Sequence, residues 1–200
     1  MTALLKKRPL RLPLLLAVGA LALGVSGCGL ANRPAKPANV TQDALSNGGE
    51  PYFWTGPITY QVQISRQLNP FDSYDVQYLS GVQGAQDISA QQLWYGVFLW
   101  AKNQSGRVAT TADKFEIVDS AGDVYMPTPL NPSVNPYAWT AQTLAPNEIE
   151  PIADSAASDS SPGGGLILFK LNQSVYSNRP LTLEVFAPGS SKPSKVSLDF

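Results

Sequence analysis

Residues 93–101 read LWYGVFLWA, a run with no charged side chain that is apolar on both faces of an extended chain. Tyr, Val, Phe and Trp are too dense in it for a helix of that length, so it reads as a central strand. The runs around it also have strand periodicity. Ile58, Tyr60, Val62 and Ile64 alternate with Thr59, Gln61 and Gln63, the pattern of a half-buried strand. Residues 114–118 read as a strand, 119–123 (DSAGD) as a turn, and 124–126 as the returning strand of a hairpin. Residues 166–171, 181–186 and 196–200 bring the total to about seven. No helical period persists beyond the N-terminal segment, and 16 Gly with 17 Pro supply turns. Trp94, Phe98 and Trp100 fall at core positions of their run.

These elements predict an all-β fold. Seven short strands with turns between them argue an immunoglobulin-like β-sandwich over residues 51–200, with a small barrel as the competing architecture. A chain of 200 residues, 44% hydrophobic and 14% charged, supports one ordinary domain with a real core.

The first 50 residues have a different character. Lys6, Lys7 and Arg8 precede an apolar run from Leu12 to Val25, about 14 residues long, too short for a bilayer span of roughly 20. The run ends in Val25-Ser26-Gly27-Cys28. This resembles the lipobox of bacterial prolipoproteins: an aliphatic residue three before the Cys, then two small residues. The resemblance implies a signal peptide over 1–27, helical in form, cleavage between Gly27 and Cys28, and lipidation of Cys28. It also accounts for a lone Cys in an exported chain, which cannot form an internal disulfide. A diacylated Cys is a durable anchor, because two acyl chains hold where one exchanges. Residues 28–50 follow as a tether, rich in Pro, Ala, Asn and Gly with no sustained apolar period; it is expected to be disordered and to span roughly 25–30 Å. The expected location is the extracytoplasmic face of a cell membrane.

Loss of 1–27 also changes the charge. That segment holds four of the 14 cations and no acid, so ten cations face 15 acids afterwards, a net −5. An acidic domain repels polyphosphate, and no nucleic-acid partner is expected.

Three stretches of the body resemble a family of extracellular immunoglobulin-like domains of unknown function carried by bacterial lipoproteins. Residues 100–105 (WAKNQS) are similar to its strand ending in Asn before a polar turn. Residues 115–125 (FEIVDSAGDVY) are similar to its F-x-L-x-D-x-x-G-x-x-Y hairpin. Residues 144–148 (LAPNE) are similar to its L-x-P-G-E turn, with Asn147 in place of Gly. The resemblance implies the sandwich fold and no known reaction. Residues 68–92 are longer than that pattern expects, which suggests an added loop or strand pair.

The chemistry-bearing residues are few. With no His, the usual general base, metal ligand and pH switch are missing. No nucleophile motif or phosphate-binding glycine loop is present; Gly163-Gly164-Gly165 lacks a following Lys-Ser/Thr. Glu148 and Glu150 would point the same way if extended, but Pro146 and Pro151 suggest a solvated edge or turn. Asp119 with Asp123, and Asp154 with Asp159, could offer calcium oxygens, yet neither pair has EF-hand spacing and Asp is a good turn residue. No enzyme activity, cofactor or metal is therefore expected.

Aromatics on loops are the remaining candidates. Tyr52-Phe53-Trp54 precedes the first long strand, Phe71, Tyr74 and Tyr78 lie in the long segment, and Tyr137 and Trp139 lie in a Pro-rich loop. Trp54, Tyr137 and Trp139 are the candidate binding surface; the competing reading is that such rings cap the ends of the sandwich. The expected function is a non-catalytic protein-binding or scaffold module of the envelope, with a small-ligand or glycan receptor as the alternative. The anchor is directly testable. Cys28→Ser is expected to abolish labelled-palmitate incorporation and to shift the protein out of the detergent phase; incorporation at the wild-type level would refute lipidation at Cys28.

Overall fold

The computed structural model describes residues 52–84 and 87–198. The signal segment, the Gly27–Cys28 junction and the tether lie outside the described residues, as do the last two positions of the strand expected over 196–200. Among the described residues there are eleven strands: β1 (Tyr52–Thr55), β2 (Ile58–Leu68), β3 (Gln92–Asn103), β4 (Ala109–Thr110), β5 (Lys114–Val118), β6 (Val124–Tyr125), β7 (Thr143–Leu144), β8 (Ile149–Glu150), β9 (Gly165–Asn172), β10 (Thr182–Phe186) and β11 (Pro193–Ser197). Six of the seven that span four residues or more answer to expected strands; the seventh expected strand is the short β6, paired to β5, and β1 is an addition ahead of β2. The only α-helix among the described residues is α1 (Ala156–Asp159), a single turn with a Ser155–Ser158 capping box.

Two sheets face one another. The first runs β1-β2-β3, with β8 and β9 both pairing the far side of β3; the second runs β11-β10-β5-β6. A two-stranded ribbon, β4-β7, stands apart. The main core lies between the sheets. Odd-numbered residues of β3 (Leu93, Tyr95, Val97, Leu99, Ala101) point into it and meet Ile117, Leu183, Val185 and Val196 from the second sheet.

The even-numbered positions of β3 and β9 build a second core on the outer face of the first sheet. Leu68, Trp94, Phe98, Leu166 and Leu168 are buried there under Tyr78 and Val82, with Leu79, Ile88, Leu130 and Tyr137 at the margin. This is the role of the long 68–92 segment: it is a third layer. Its described residues between β2 and β3 contribute no strand, only a 3-10 turn over Val76–Leu79 and an isolated bridge from Val82 to Leu130. Trp100 lies on this outer face beyond the third layer and is half-buried, a correction to its core assignment. Gly96 keeps the layer close, because a Cβ there would sit 3.1 Å from Leu68 and from Leu166.

A β-bulge between Val62 and Ile64 changes which side of β2 faces inward. Ile58, Tyr60 and Val62 point into the main core. After the bulge Ile64, Arg66 and Leu68 stand opposite Phe98, Gly96 and Trp94, so they belong to the outer face. Ile64 is therefore 38% exposed rather than a core residue, which strict alternation could not foresee.

The three motif stretches are turn closures. Asn103, fully buried, donates through Nδ2 to the carbonyls of Arg107 and Leu144 at 2.7 and 2.9 Å and accepts from the Ser105 N–H at 3.0 Å. Asp119 accepts from the N–H groups of Ala121 and Asp123 at 2.9 and 3.0 Å, and from Asn178 Nδ2 at 3.2 Å. Burial works against its charge, but Asn178 and the turn amides outweigh it and hold the carboxyl below the usual carboxylate range. Gly122 (φ +91°) is needed for that turn. In the third stretch Asn147 takes φ +68°, as expected of a Gly substitute, and Glu148 Oε2 accepts the Ala145 N–H at 2.6 Å.

The Gly163-Gly164-Gly165 run also has a packing role. A Cβ on Gly164 would lie 2.9 Å from the Leu99 nitrogen, and one on Gly165 would lie 2.8 Å from the Trp139 ring. Gly164→Ala should therefore destabilise by roughly 1–3 kcal/mol. Gly106→Ala, with open space around it, should change stability by no more than about 0.5 kcal/mol. Urea titrations giving equal midpoints for both variants would refute the close approach.

Candidate functional site

The three aromatics singled out from the sequence do not form one patch. Trp139 turns inward: its Nε1 donates to the Ala112 carbonyl at 2.9 Å, and its ring packs edge-on to Phe115 with centroids 6.0 Å apart. It is an anchor of the 131–142 loop, half-buried against the main core. Trp54 and Tyr137 both belong to the outer side of the first sheet. Trp54 stands opposite Thr59, on the face away from Phe53 and Tyr60. Tyr137 packs against Tyr78 at the edge of the third layer, with centroids 4.9 Å apart. Of the other candidates, Tyr78 is buried and Phe53 stacks on Tyr60 in the main core.

Two side chains that the sequence reading passed over matter most. Asp75, almost fully buried, accepts from Arg66 Nη1 and Nη2 at 3.0 and 2.5 Å and from the Asn69 N–H at 2.9 Å. The hydrogen-bonded Arg66 guanidinium holds the Asp75 carboxyl below the usual carboxylate range. Arg66 reaches Asp75 because the bulge has turned it to the outer face. The loop between them is further fixed by two Asx turns, Asn69 Oδ1 to the Phe71 N–H and Asp72 Oδ1 to the Tyr74 N–H. This stapled loop carries Phe71 at 94% exposure and Tyr74 at 78%.

Tyr74 overhangs a groove of about 440 Å³. Its floor and walls include Gln63, Ile64, Gln77 and Tyr137, and Ser160–Pro162 close the far side. Gln77 ties the two walls together, since it accepts from the Tyr137 hydroxyl at 2.7 Å and donates to the Tyr74 carbonyl at 2.8 Å. Asn135, fully buried, binds the carbonyls of Tyr78 and Ser80 through Nδ2, both at 2.9 Å, and so locks the 131–142 loop to the third layer.

A second cavity, about 260 Å³, lies between the 131–142 loop and α1, and Trp139 and Glu150 line it. Glu148 and Glu150 are not a carboxylate pair. Glu148 folds back on its own turn, whereas Glu150 stands opposite Ala101 in β3, on the inner face beside Tyr60. Glu150 is thus not at a solvated edge, as its proline neighbours had suggested, but buried; its Oε2 is without a hydrogen-bond partner. Burial pushes its carboxyl up to about 7, against a smaller opposing pull from a Thr111 hydroxyl hydrogen bond. Asp119 is committed to its turn, and no three His, Cys, Asp or Glu side chains gather among the described residues.

No known family matches the sequence, and neither does any curated protein. Solved structures match at the level of backbone shape. The yjhA protein of Bacillus subtilis is 13% identical with a TM-score of 0.46, over 74% of this chain and 96% of that one. A candidate lipoprotein of the same species, ycdA, is 11% identical with a TM-score of 0.45, over 76% of this chain and 38% of that one. An uncharacterised β-sandwich protein of Clostridium difficile is 10% identical with a TM-score of 0.40, over 75% and 91%.

Glu150 gives a signed pH prediction. Its folded value is raised above the ordinary one of 4.5, so the stability it allows is fully present below pH 4.5 and is lost as pH rises towards 7. The whole step is about 3 kcal/mol. Glu150→Gln should therefore flatten the decline in unfolding free energy between pH 4.5 and 7, and leave the variant more stable than wild type at pH 8. Parallel wild-type and variant curves would show that Glu150 ionises without cost.

Proposed function

We propose that the protein is a non-catalytic, lipid-anchored binding module of the bacterial cell envelope, an immunoglobulin-like domain that docks another envelope component from the extracytoplasmic face. The anchor is read from Val25-Ser26-Gly27-Cys28. No helix among the described residues is long and apolar enough to cross a membrane. The non-catalytic reading is supported by the chemistry at hand: the chain has no His, and its raised carboxyl, Glu150, faces a Tyr and a Thr rather than a second acid or a nucleophile's base.

The binding reading rests on one feature, the stapled loop. A charge pair between buried Asp75 and half-buried Arg66, with two Asx turns, holds Phe71 and Tyr74 in water. Ordering such a loop costs roughly 1–2 kcal/mol of conformational entropy per residue, and two solvated rings return little of it to the isolated domain. A partner that covers them would recover the apolar burial, and the order is already in place before binding. A receptor built on Trp54, Tyr137 and Trp139 together is disfavoured by the inward turn of Trp139.

The mature chain, cross-linked in intact envelopes and purified in detergent, should retain a specific component. Phe71→Ala combined with Tyr74→Ala should cut that retention at least tenfold with the melting temperature unchanged. No cross-linked component, or equal retention by the double variant, would overturn the binding reading.

A further inference from the structure

We propose that the outer face of the first sheet is a binding site for a neutral, polyhydroxylated glycan, seated in the Tyr74–Tyr137 groove and running on towards Trp100 and Tyr52. This rests on the binding reading above and names the class of component bound.

The register lays out the surface. Direct partners across antiparallel strands share a face, and successive pairs on one face lie about 7 Å apart along the strand. Tyr52, Gln61 and Trp100 form one row across β1, β2 and β3. Ile64 and Phe98 form the next row on that face, with the bulged Gln63 between the two. Beyond them stands the wall of the third layer, with Tyr74 and Tyr137 at its rim. Tyr52 is 41% exposed and Trp100 half-buried, so ring surface continues out of the groove along the sheet.

Three properties of this face select the ligand. Its recognition elements are ring faces and carboxamides. Gln77 is spent on holding the two tyrosines, Gln63 Nε2 donates to Gln61 Oε1 at 2.8 Å, and the Ser160 hydroxyl is engaged with the Ala157 carbonyl and the Gly163 N–H, which leaves the Gln63 carbonyl oxygen and the Ser161 hydroxyl to meet a ligand's hydroxyls. Sugar rings present apolar C–H faces and equatorial hydroxyls, a match to that lining. The charge in the groove is compensated: Arg66 is forked onto Asp75, so it offers no free cation to a polyanion. Finally, the site is on a sheet face, where the backbone groups of β3 are consumed by β2 and β9. A ligand lying over β3 therefore meets side chains rather than an open ladder, whereas strand addition would use the sheet's edges at β1 and along the second half of β2.

The test uses the full mature chain in a non-glycosidic detergent. Calorimetry and tryptophan fluorescence would follow titrations with hexasaccharides of glucose and of N-acetylglucosamine, and with polygalacturonate as the anionic control. At least one neutral hexasaccharide should bind, with polygalacturonate weaker. Tyr74→Ala and Gln63→Ala should each lower affinity about tenfold without a change in melting temperature; both side chains are exposed, so neither variant should compromise folding. No binding of either neutral oligosaccharide, binding of the polyanion alone, or affinities untouched in both variants would overturn the glycan site. If that happens while a cross-linked protein partner is still lost with Phe71→Ala combined with Tyr74→Ala, the glycan class falls and the binding module stands. If both experiments are empty, both readings fall.

Discussion

A strand that is apolar on both faces cannot leave one of them in water, and the rest of this molecule follows from that constraint on β3 and β9. The odd positions of β3 are satisfied by the second sheet, as in any sandwich. Its even positions, with those of β9, would strand Trp94, Phe98, Leu166 and Leu168 in solvent. Full burial of each such side chain is worth about 1.5–3 kcal/mol. The 68–92 excursion and the 131–142 loop supply the cover, and Asn135 joins the two covers to each other. The third layer is a structural necessity before it is anything else, and the candidate binding face is what lies along its border.

The bulge at Gln63 converts that cover into a presenting surface. Without the extra residue, Arg66 would face the main core, where an unpaired guanidinium would be costly to bury. With it, Arg66 lies outside, meets Asp75, and closes the entrance to the excursion. The strong hydrogen bonding of Asp75 means that the loop between Asn69 and Asp75 is ordered by a charge buried in protein rather than by its own apolar packing. That is why two aromatic rings can project from it without dragging the loop down onto the sheet.

Much of the fold was legible in the sequence because strand periodicity and turn chemistry are local. The double-sided run at 93–101, the hairpin at 114–126 and the left-handed Asn147 can each be read from a few neighbouring residues. Ile64 could not, because one bulged residue reverses the parity of everything after it and Gln63 carries no mark that announces a bulge. Trp139 was misjudged for a similar reason: a tryptophan in a Pro-rich loop looks solvated until the glycine at 165 opens a space for its ring. Glu150 was misjudged because its proline neighbours suggest a turn, and the pairing with Ala101 that turns it inward is set by residues almost 50 positions away. The Arg66–Asp75 pair left only one trace, a charged residue late in an otherwise half-buried strand, and nothing local named its partner.

A chain with a single Cys has no internal disulfide with which to pin its loops, and the molecule shows what replaces it. Four nearly or fully buried Asx side chains each close a different connection: Asp75 the start of the third layer, Asn103 the end of β3, Asp119 the β5–β6 turn, and Asn135 the 131–142 loop. Asn103, Asp119 and Asn135 each satisfy several backbone groups at once, and Asp75 satisfies one amide beside the Arg66 guanidinium, so each meets the demand that buried polar groups find partners where no ladder continues. A hydrogen bond of this kind contributes about 1 kcal/mol, more where the acceptor is charged, so three or four converging on one short side chain approach the 2–4 kcal/mol of a disulfide. They do so with groups that need no oxidant. The carboxylates with the most partners are the ones that shape the loops, and what those loops then offer to the outside is ring surface and amide.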